Sequence, residues 1–471
     1  MPSDSVKRYL PWLVAVALFM ENLDATILNT AVPVMAEGLG VEPLALKAVL
    51  TSYTLSLAVF IPISGWMADR FGTRRVFMWA VAIFTVGSLL CGMALNVPML
   101  VVSRVIQGMG GAMMTPVGRI ALVRTFPRSD LLRTMNYVIV PALIGPMIGP
   151  FAGGLIVHWL HWRVIFFINL PFALVGLWLV RRYMPNYIDE EVPPLDRSGF
   201  LLFGSGIALL SYVLEVFGEH TMPVGKLTLL TAISLALLAA YGWHARHTDK
   251  PVLSLGLFHI RSFRLAVVGG FVTRLGIGGM PFLLPLLYQI GLGYAPWQAG
   301  LLTMPTAAAA IIMKITSRRL LAWFGHRTIL ISNTLMIGVI ISLFTLIKPG
   351  SPIWLILCLG LAQGFFMSLQ FTSMNSLIYA DVDDRDASKA SSIASTSQQL
   401  SFSFGVAFAS LVAGWFLRGL DQTNPAEVIP ALHHAFITMG LLVAISSISF
   451  WGLHNNDGNN VSNRTPRPTS D

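Results

Sequence analysis

The sequence predicts an all-α integral membrane protein, and three observations support this fold class: its composition, its recurring apolar segments and the placement of its basic residues. Of the 471 residues, 55% are hydrophobic and 11% are charged, and the mean hydropathy is +0.70. Soluble domains carry about 25% charged residues. A chain with so few charges cannot cover itself with a polar surface, so a lipid bilayer is its expected environment.

Apolar segments of about twenty residues recur along the whole chain, and each can cross a hydrocarbon core of about 30 Å as a helix. Lipid offers the backbone no hydrogen-bond partners, so helices are expected, whereas a β-barrel would show alternating strands of about ten residues. About fourteen spans are predicted, near residues 10–36, 47–68, 75–95, 98–123, 133–156, 162–183, 198–217, 225–244, 264–290, 297–317, 328–347, 352–379, 390–417 and 432–453.

The basic residues predict how these spans are oriented. Most of the 31 lysines and arginines fall in alternate loops, and loops rich in Lys and Arg stay on the cytoplasmic side of a membrane. An even number of spans then places both termini in the cytoplasm. Omitting one span would scramble the alternation further along the chain, so the charge pattern also supports the count.

Two longer cytoplasmic stretches, at 185–197 and 246–263, bracket spans 7 and 8, so this pair looks like an insert between two six-span blocks. The predicted division is an N-terminal six-helix bundle, a two-helix insert with cytoplasmic linkers, a C-terminal six-helix bundle and a polar, disordered cytoplasmic tail. Their bounds are 1–184, 185–263, 264–453 and 454–471.

Two acids lie three residues apart in the first span, Glu21 and Asp24. An ionised carboxylate inside a bilayer is unfavourable unless it meets water, a cation or a proton. A fixed structural ion pair is one interpretation of either residue. The other is proton coupling, in which a carboxyl alternates between a neutral form that burial favours and a charged form that a nearby cation favours.

Depth in the membrane predicts a cationic partner for Asp24. Arg104 lies about six residues into span 4 from its periplasmic end, and Asp24 lies about fourteen residues into span 1 from its cytoplasmic end. At about 1.5 Å per residue, both lie about 9 Å below the periplasmic boundary. We therefore expect these side chains to communicate across a central cavity, with protonation of Asp24 releasing its hold on Arg104 or on substrate.

The turn between spans 2 and 3 combines glycines, an acid and arginines. The residues concerned are Gly65, Asp69, Arg70, Gly72, Arg74 and Arg75. A solvated positive-inside loop explains the arginines, but not the glycines or the acid among them. Glycines permit a tight turn, and the Asp can cap a helix or pair with an arginine. The pattern predicts a gate that is made and broken as two halves of the protein move.

Span 5 carries helix-breaking prolines and closely spaced glycines. These residues are Gly145, Pro146, Gly149, Pro150, Gly153 and Gly154. Small residues are a common packing device in any helical membrane bundle. The repeated Gly-Pro pair is more specific, because a kinked and closely packed helix suits a pivot. We therefore interpret these six residues as a hinge.

Several polar side chains in other spans are candidates for lining a cavity. Arg274 lies near the middle of span 9. It either stabilises the helix packing or binds the substrate or the proton-binding acid. If Arg274 binds substrate, anions join the list of substrates. The other candidates, which could equally join helices to one another, are Asn29, Gln107, Gln363 and Gln398.

Four of these motifs together resemble a known family. The turn at residues 65–75 resembles the loop 2–3 signature of the major facilitator superfamily, and Gly149-Pro150 with Gly153-Gly154 resembles the span 5 signature of its antiporters. Residues 23–33 are similar to the span 1 motif of its fourteen-span drug:proton antiporter branch, and residues 162–171 to the span 6 motif. The second half departs from the pattern, because Ala322 and Trp323 replace the Asp-Arg of the loop signature.

The resemblance implies the major facilitator fold, with two six-helix bundles that rock around a central cavity and two extra helices, in the bacterial inner membrane. It also implies inward proton flow that drives export of drug-like compounds or metabolites. Asp24 is then the proton-coupling acid, with Glu21 as an additional acid, and Arg104 is the span 4 arginine. Asp69 and Arg70 form the gating pair, and Gly149 and Pro150 the antiporter hinge.

Other function classes find little support in the sequence. No His-Glu-x-x-His or Gly-x-Ser-x-Gly pattern occurs, so an enzyme is not expected. The two cysteines lie in apolar runs, so neither a metal site nor a disulfide is expected. The expected partners are the lipid bilayer, a small-molecule substrate and protons, with no nucleic acid and no cofactor beyond the proton gradient, and the chain is expected to be a monomer. The open alternative is an exporter of organic anions or metabolites that has no role in drug resistance.

Overall fold

The computed structural model describes residues 4–219, 222–420 and 424–462, and no strand occurs in these ranges. The predicted all-helical class is confirmed for this part of the chain. The α-helices are α1 (Asp4–Ile27), α2 (Val32–Leu39), α3 (Lys47–Phe71), α4 (Thr73–Gly92), α5 (Val97–Thr125), α6 (Arg128–Trp159), α7 (Val164–Phe167), α8 (Asn169–Tyr183), α9 (Arg197–Glu219), α10 (Val224–His247), α11 (Arg261–Gly278), α12 (Met280–Leu286), α13 (Pro296–Leu343), α14 (Ile353–Ile378), α15 (Ala387–Phe416), α16 (Pro425–Ser446) and α17 (Asn459–Ser462).

Twelve helical segments in the described ranges are long and apolar enough to cross a bilayer. They are Val6–Ile27, Pro43–Phe71, Thr73–Gly92, Val97–Thr125, Val164–Tyr183, Arg197–Phe217, Val224–His247, Arg261–Gly291, Thr316–Leu346, Ile353–Ile378, Ala387–Phe416 and Pro425–Phe450. The predicted spans 133–156 and 297–317 lie in α6 and in the first part of α13, which are helical but not among the twelve. The count of fourteen spans therefore stays a prediction.

The connection between predicted spans 10 and 11 is shorter than the sequence suggests. The apolar pattern predicts a loop at 318–327, but the chain is helical from Pro296 to Leu343 except at Gly325. Gly325 has φ 76°, a left-handed conformation that glycine adopts without a steric penalty. The change of direction is therefore made at one residue.

The chain divides into two compact units. Unit 1 comprises Met1–Gly204 with Ala295–Gly300, and unit 2 comprises Ser205–Tyr294 with Leu301–Asp471. This division falls inside α9, whereas the sequence predicts boundaries at 184/185 and 263/264. The sequence-based division stays a prediction.

Helix α5 illustrates how local sequence sets the helices of unit 1. Asn96 precedes the helix, and its side-chain oxygen accepts a hydrogen bond from the backbone N–H of Met99 at 2.9 Å. Pro98 follows in the first turn, where a missing N–H is tolerated. Phe126 and Pro127 end the helix in extended conformation. These boundaries fix the turns on which Arg104 and Gln107 lie.

The glycines of α6 hold this helix directly against α1. A Cβ atom at Gly145 would lie 3.1 Å from the backbone of Phe19 and Leu23, and Cβ atoms at Gly149 and Gly153 would collide with Thr26 and Ile27. Thr30 adds a hydrogen bond from its hydroxyl to the Pro150 carbonyl at 2.7 Å. The glycine spacing therefore determines how closely α1, which carries Glu21 and Asp24, approaches α6.

The segment that follows the last span is attached to unit 2. The Arg261 guanidinium donates to both carboxylate oxygens of Asp457, at 2.7 and 2.9 Å, and Arg327 donates to Asn455 at 3.0 Å. Gly458, with φ 76°, packs against the His326 ring. The predicted disordered tail, 454–471, thus begins with a segment that contacts the turn at Gly325, and residues 463–471 lie outside the described ranges.

The close packing of α6 on α1 predicts the effect of one added methyl group. We expect Gly153→Ala to lower the free energy of unfolding by about 1–3 kcal/mol, because its Cβ would meet the Ile27 carbonyl oxygen. Unfolding of the purified protein in detergent measures this change. Gly176→Ala is the matched control, since no atom lies within 4 Å of a Cβ at Gly176. Equal stability of the two variants would contradict the packing argument.

Candidate functional site

Asp24 is the centre of a buried polar cluster in unit 1. Its Oδ2 accepts a hydrogen bond from Arg104 Nη1 at 2.6 Å, and its Oδ1 accepts from Gln107 Nε2 at 2.8 Å and from Asn169 Nδ2 at 2.9 Å. Asp24 and Arg104 are each only 1% exposed. The two residues for which equal depth predicts communication are therefore in direct contact.

Arg104 is held on several sides. Its Nη1 also donates to Gln107 Oε1 at 2.7 Å, and its Nε donates to the Val49 carbonyl at 3.3 Å. Its guanidinium carbon lies 4.1 Å from the centroid of the Tyr53 ring, within cation–π range. Arg104 and Gln107 are three residues apart on α5, so they share one helix face. The arrangement fixes the guanidinium beside the carboxylate.

Asn169 is a member of the cluster that the sequence did not place in the site. It begins α8, and its Nδ2 bridges Asp24 and the Ser88 hydroxyl, which lies at 3.1 Å. Ser88 in turn donates to the Phe166 carbonyl at 2.7 Å. The signal in the sequence was an amide within an apolar stretch. Its partner could not be inferred, because 145 residues separate Asn169 from Asp24.

Because this cluster is buried, a change in the charge of Asp24 or Arg104 strongly affects its stability. Removing one member of a buried ion pair costs about 3–5 kcal/mol, because the other charge is left without compensation. The three donors around Asp24 all stabilise its charged form. A proton on Asp24 would therefore weaken three hydrogen bonds together and leave Arg104 without its counter-ion.

Glu21 lies one turn before Asp24 and has different surroundings. It is half-buried, and its Oε2 accepts a hydrogen bond from the Thr115 hydroxyl of α5. No cation lies within salt-bridge distance of Glu21 among the described residues. The first span thus presents two acids to α5, one paired with an arginine and one bound by a hydroxyl.

Asp69 is paired with an arginine, as the sequence allows, and the gating role of Asp69 and Arg70 stays a prediction. Asp69 accepts a hydrogen bond from Arg124 Nη2 at 2.9 Å, whereas Arg70 is exposed. Arg124 also donates to both oxygens of Asp189, at 2.7 and 2.8 Å, and this hydrogen bonding lowers the pKa of the Asp189 carboxyl below its ordinary value. The ion pairs of this region therefore join the ends of α3 and α5 to the segment after α8.

The other residues of the predicted gate lie in the last turns of α3, at Gly72 and in the first turn of α4. Gly72 has φ 95° and packs against Asn186, whose Oδ1 accepts the Arg74 backbone N–H at 3.1 Å. Arg75 is exposed, and no atom lies within 4 Å of a Cβ at Gly65. Only Gly72 among the two predicted glycines thus has a conformation and a neighbour that require glycine.

The predicted hinge residues contact two different partners. Gly145, Gly149 and Gly153 face α1, as described above. Gly154 instead packs against the backbone of Pro296 and Trp297, which belong to the short segment of unit 1 at Ala295–Gly300. Pro146 and Pro150 are half-buried within α6.

The remaining cavity candidates differ in their contacts. Arg274 is 2% exposed and donates from Nη2 to Asn375 Oδ1 at 3.1 Å. Gln363 is 3% exposed, and its Oε1 has no partner among the described residues. Asn29 and Gln398 are half-buried. The structure thus brings Gln107 to Asp24 and places Arg274, Gln363 and Gln398 in unit 2.

The sequence of this chain, from residue 14 to residue 406, matches the profile of the Major Facilitator Superfamily. The chain belongs to this superfamily. MdtD of Serratia proteamaculans (strain 568), named as a candidate multidrug resistance protein, is 38% identical over 443 residues, which are 93% of this chain and 92% of that protein. MdtD of Salmonella typhimurium (strain LT2) is 38% identical over 463 residues, 96% of each chain.

Solved major facilitator structures share the fold at low sequence identity. A bacterial homologue of the human lysosomal transporter Spinster, inward-facing and unoccupied, aligns with TM-score 0.69 and 15% identity over 99% of this chain and all of that chain. The human organic anion transporter MFSD10 aligns with TM-score 0.60 and 14% identity over 95% of this chain and all of that chain. Family and fold together identify a multi-pass secondary transporter of a bacterial inner membrane, not an enzyme.

The cluster around Asp24 predicts a stability effect of its amide member. We expect Asn169→Leu to lower the free energy of unfolding by about 1–3 kcal/mol, because the buried carboxylate loses one of its donors. Asn29→Leu is the control: the described hydrogen bonds do not include its side chain, and we expect a change below about 0.5 kcal/mol. Thermal or denaturant unfolding in detergent measures both. If the two substitutions cost the same, Asn169 does not support Asp24 as described.

Proposed function

We propose that this chain is a proton-coupled antiporter that exports small organic molecules, drug-like compounds or metabolites, by alternating access. The observation that carries the proposal is the buried carboxylate of Asp24 in the first span, with Arg104 as its counter-ion and two amides as further donors. A group in this position changes the charge balance of the transporter interior when it takes up a proton. Proton uptake can thereby favour one of two conformations.

The proposed cycle follows from the contacts of Asp24. A proton that enters from the periplasmic side neutralises Asp24, and the neutral carboxyl keeps fewer and weaker hydrogen bonds to Arg104 and Gln107. Arg104 retains the Val49 backbone carbonyl, the Gln107 side-chain oxygen Oε1 and the Tyr53 ring as neighbours. Release of the proton to the cytoplasm restores the ion pair, so each cycle moves one proton inward at this residue and substrate outward.

A proton suits this site better than a metal cation. Na⁺ and other hard cations require several oxygen ligands, whereas the contacts of the Asp24 carboxylate are three N–H donors. A cation would have to displace these donors, and Arg104 repels it. A proton binds to one carboxylate oxygen and needs no coordination shell, so the proton gradient is the proposed energy source.

The relatives support drug-like compounds as one substrate group, because the names of both MdtD proteins describe drug resistance. The alternative is an exporter of organic anions or metabolites that does not contribute to drug resistance. Transport of a chemically diverse panel by the purified protein in proteoliposomes separates the two. Cationic and neutral drugs would be carried under the first, and only anions or metabolites under the second.

Asp24→Asn tests the coupling directly. The amide keeps the size of the side chain but cannot release a proton, so we expect uphill transport driven by an imposed pH gradient to fall to the level of protein-free liposomes. Glu190→Gln, which removes an exposed acid outside the helices, should leave transport unchanged. Size-exclusion chromatography verifies that Asp24→Asn is folded. Uphill, proton-driven transport by Asp24→Asn would refute Asp24 as the coupling residue.

We propose Glu21 as a second proton site, since it lies one turn from Asp24 and no cation fixes its charge among the described contacts. Glu21→Gln should then keep pH-driven transport but move fewer protons per substrate. Simultaneous recording of substrate flux and internal pH gives this ratio. An unchanged ratio would assign Glu21 to a structural or substrate-binding role instead.

A further inference from the structure

Arg274 is a buried cation that forms no salt bridge with an acid in the described part of the chain. It lies on α11 and is 2% exposed. Its described contacts are the amide oxygen of Asn375, at 3.1 Å from Nη2, and the Phe371 ring, whose centroid lies 5.3 Å from the guanidinium carbon. Its Nε has no acceptor, and no carboxylate lies within salt-bridge distance among the described residues.

The sequence places few acids in this part of the chain. Between residues 264 and 453 the acids occur in two short stretches, one at 381–386 that precedes α15 and one at 421–427 that ends in the first turn of α16. They are Asp381, Asp383, Asp384, Asp386, Asp421 and Glu427. Arg274, in contrast, lies near the middle of the membrane-spanning segment Arg261–Gly291.

A comparison with Arg104 shows that Arg274 lacks an anionic partner among the described residues. Both arginines are almost completely buried in membrane-spanning helices, and both face an aromatic ring. Arg104 has a carboxylate at 2.6 Å, but Arg274 has only a neutral amide. Arginine stays protonated in proteins, and a buried charge without a partner is strongly unfavourable. A planar guanidinium with free N–H groups matches a carboxylate in geometry and charge.

We propose that Arg274 binds a carboxylate group of the transported substrate. Asn375 is a positioning residue, because its amide oxygen orients the guanidinium through Nη2 and leaves Nε free to donate. The inference rests on the proposed proton-coupled export and, of the two substrate groups given there, favours organic anions.

The neighbours of Arg274 indicate the rest of the substrate. Phe371 lies against the guanidinium and packs edge-on against Phe402 of α15, with ring centroids 6.0 Å apart. Met374, on the same helix as Phe371 and Asn375, is fully buried. Aromatic rings beside a cation suit a molecule with one apolar part and one anionic end. The substrate class is therefore an amphipathic organic acid.

Binding of matched charged and uncharged probes tests the proposal. The probes are a panel of aromatic and aliphatic carboxylates, including 2-naphthoate, each paired with its neutral amide such as 2-naphthamide. Binding to the full chain in lipid nanodiscs is measured by calorimetry. We expect wild type to bind at least one carboxylate about tenfold or more tightly than its amide, the difference that one charge-assisted contact supplies.

Variants at Arg274 and Asn375 assign the preference to these residues. Arg274→Gln should remove the preference for the carboxylate and leave amide binding unchanged, and Arg274→Lys should retain part of it. Asn375→Leu should reduce the preference, whereas a general packing defect would weaken both probes equally. Arg264→Gln, an exposed arginine on the same helix, should behave as wild type.

Two results would overturn the proposal. One is a wild-type protein that binds no carboxylate of the panel more tightly than its amide, a result that needs no variant to fold. The other is a full carboxylate preference in Arg274→Gln. The proposed function is judged separately: if wild type moves neutral compounds under a pH gradient and Asp24→Asn does not, the export function stands although the assignment of Arg274 fails.

Discussion

The structure of unit 1 depends on one interaction, the buried ion pair between Asp24 and Arg104 inside a bundle of membrane-spanning helices. Asp24 and Arg104 are each 1% exposed and lie on helices α1 and α5, with Asn169 of α8 completing the shell. Such a pair is tolerable only where its geometry is excellent and the remaining donors and acceptors are satisfied. Close packing also holds α1 from another neighbour, because glycines of α6 let that helix lie directly on the backbone of α1.

The two halves of the chain differ in how their buried arginines are compensated and in how their turns are held. Unit 1 places an acid beside its arginine and closes its turn with the ion pairs of Arg124. Among the described residues, unit 2 has no acid within salt-bridge distance of Arg274, and its turn at Gly325 contacts the segment after the last span, where Arg327 donates to Asn455 and His326 packs against Gly458. This asymmetry separates the proposed roles: proton chemistry in unit 1 and recognition of an anionic group in unit 2.

The sequence predicted the features that depend on positions along a helix or on depth in the membrane. The helical class and the choice of Arg104 as the partner of Asp24 are of this kind, although the two side chains are in direct contact instead of communicating across a cavity. Contacts between side chains of different helices were harder to predict from the sequence. Many arginines on the cytoplasmic side could pair with Asp69, and only the three-dimensional packing selects Arg124. The sequence did not predict the attachment of Asp457 for a related reason: a polar, Asn- and Pro-rich stretch is typical of disorder, and the contacts of residues 454–462 are with Arg261, His326 and Arg327, which are distant in sequence.

In the proposed cycle, the Asp24 carboxyl itself takes up and releases a proton as the transporter changes conformation. Infrared difference spectroscopy detects a protonated carboxyl through its C=O stretch, so the most direct measurement compares spectra of the protein in lipid at high and low pH, with and without substrate. The account predicts a band that appears on acidification, changes when substrate binds and is missing from Asp24→Asn. A spectrum in which Asp24→Asn and wild type share every carboxyl band would show that Asp24 stays charged, and would contradict the account.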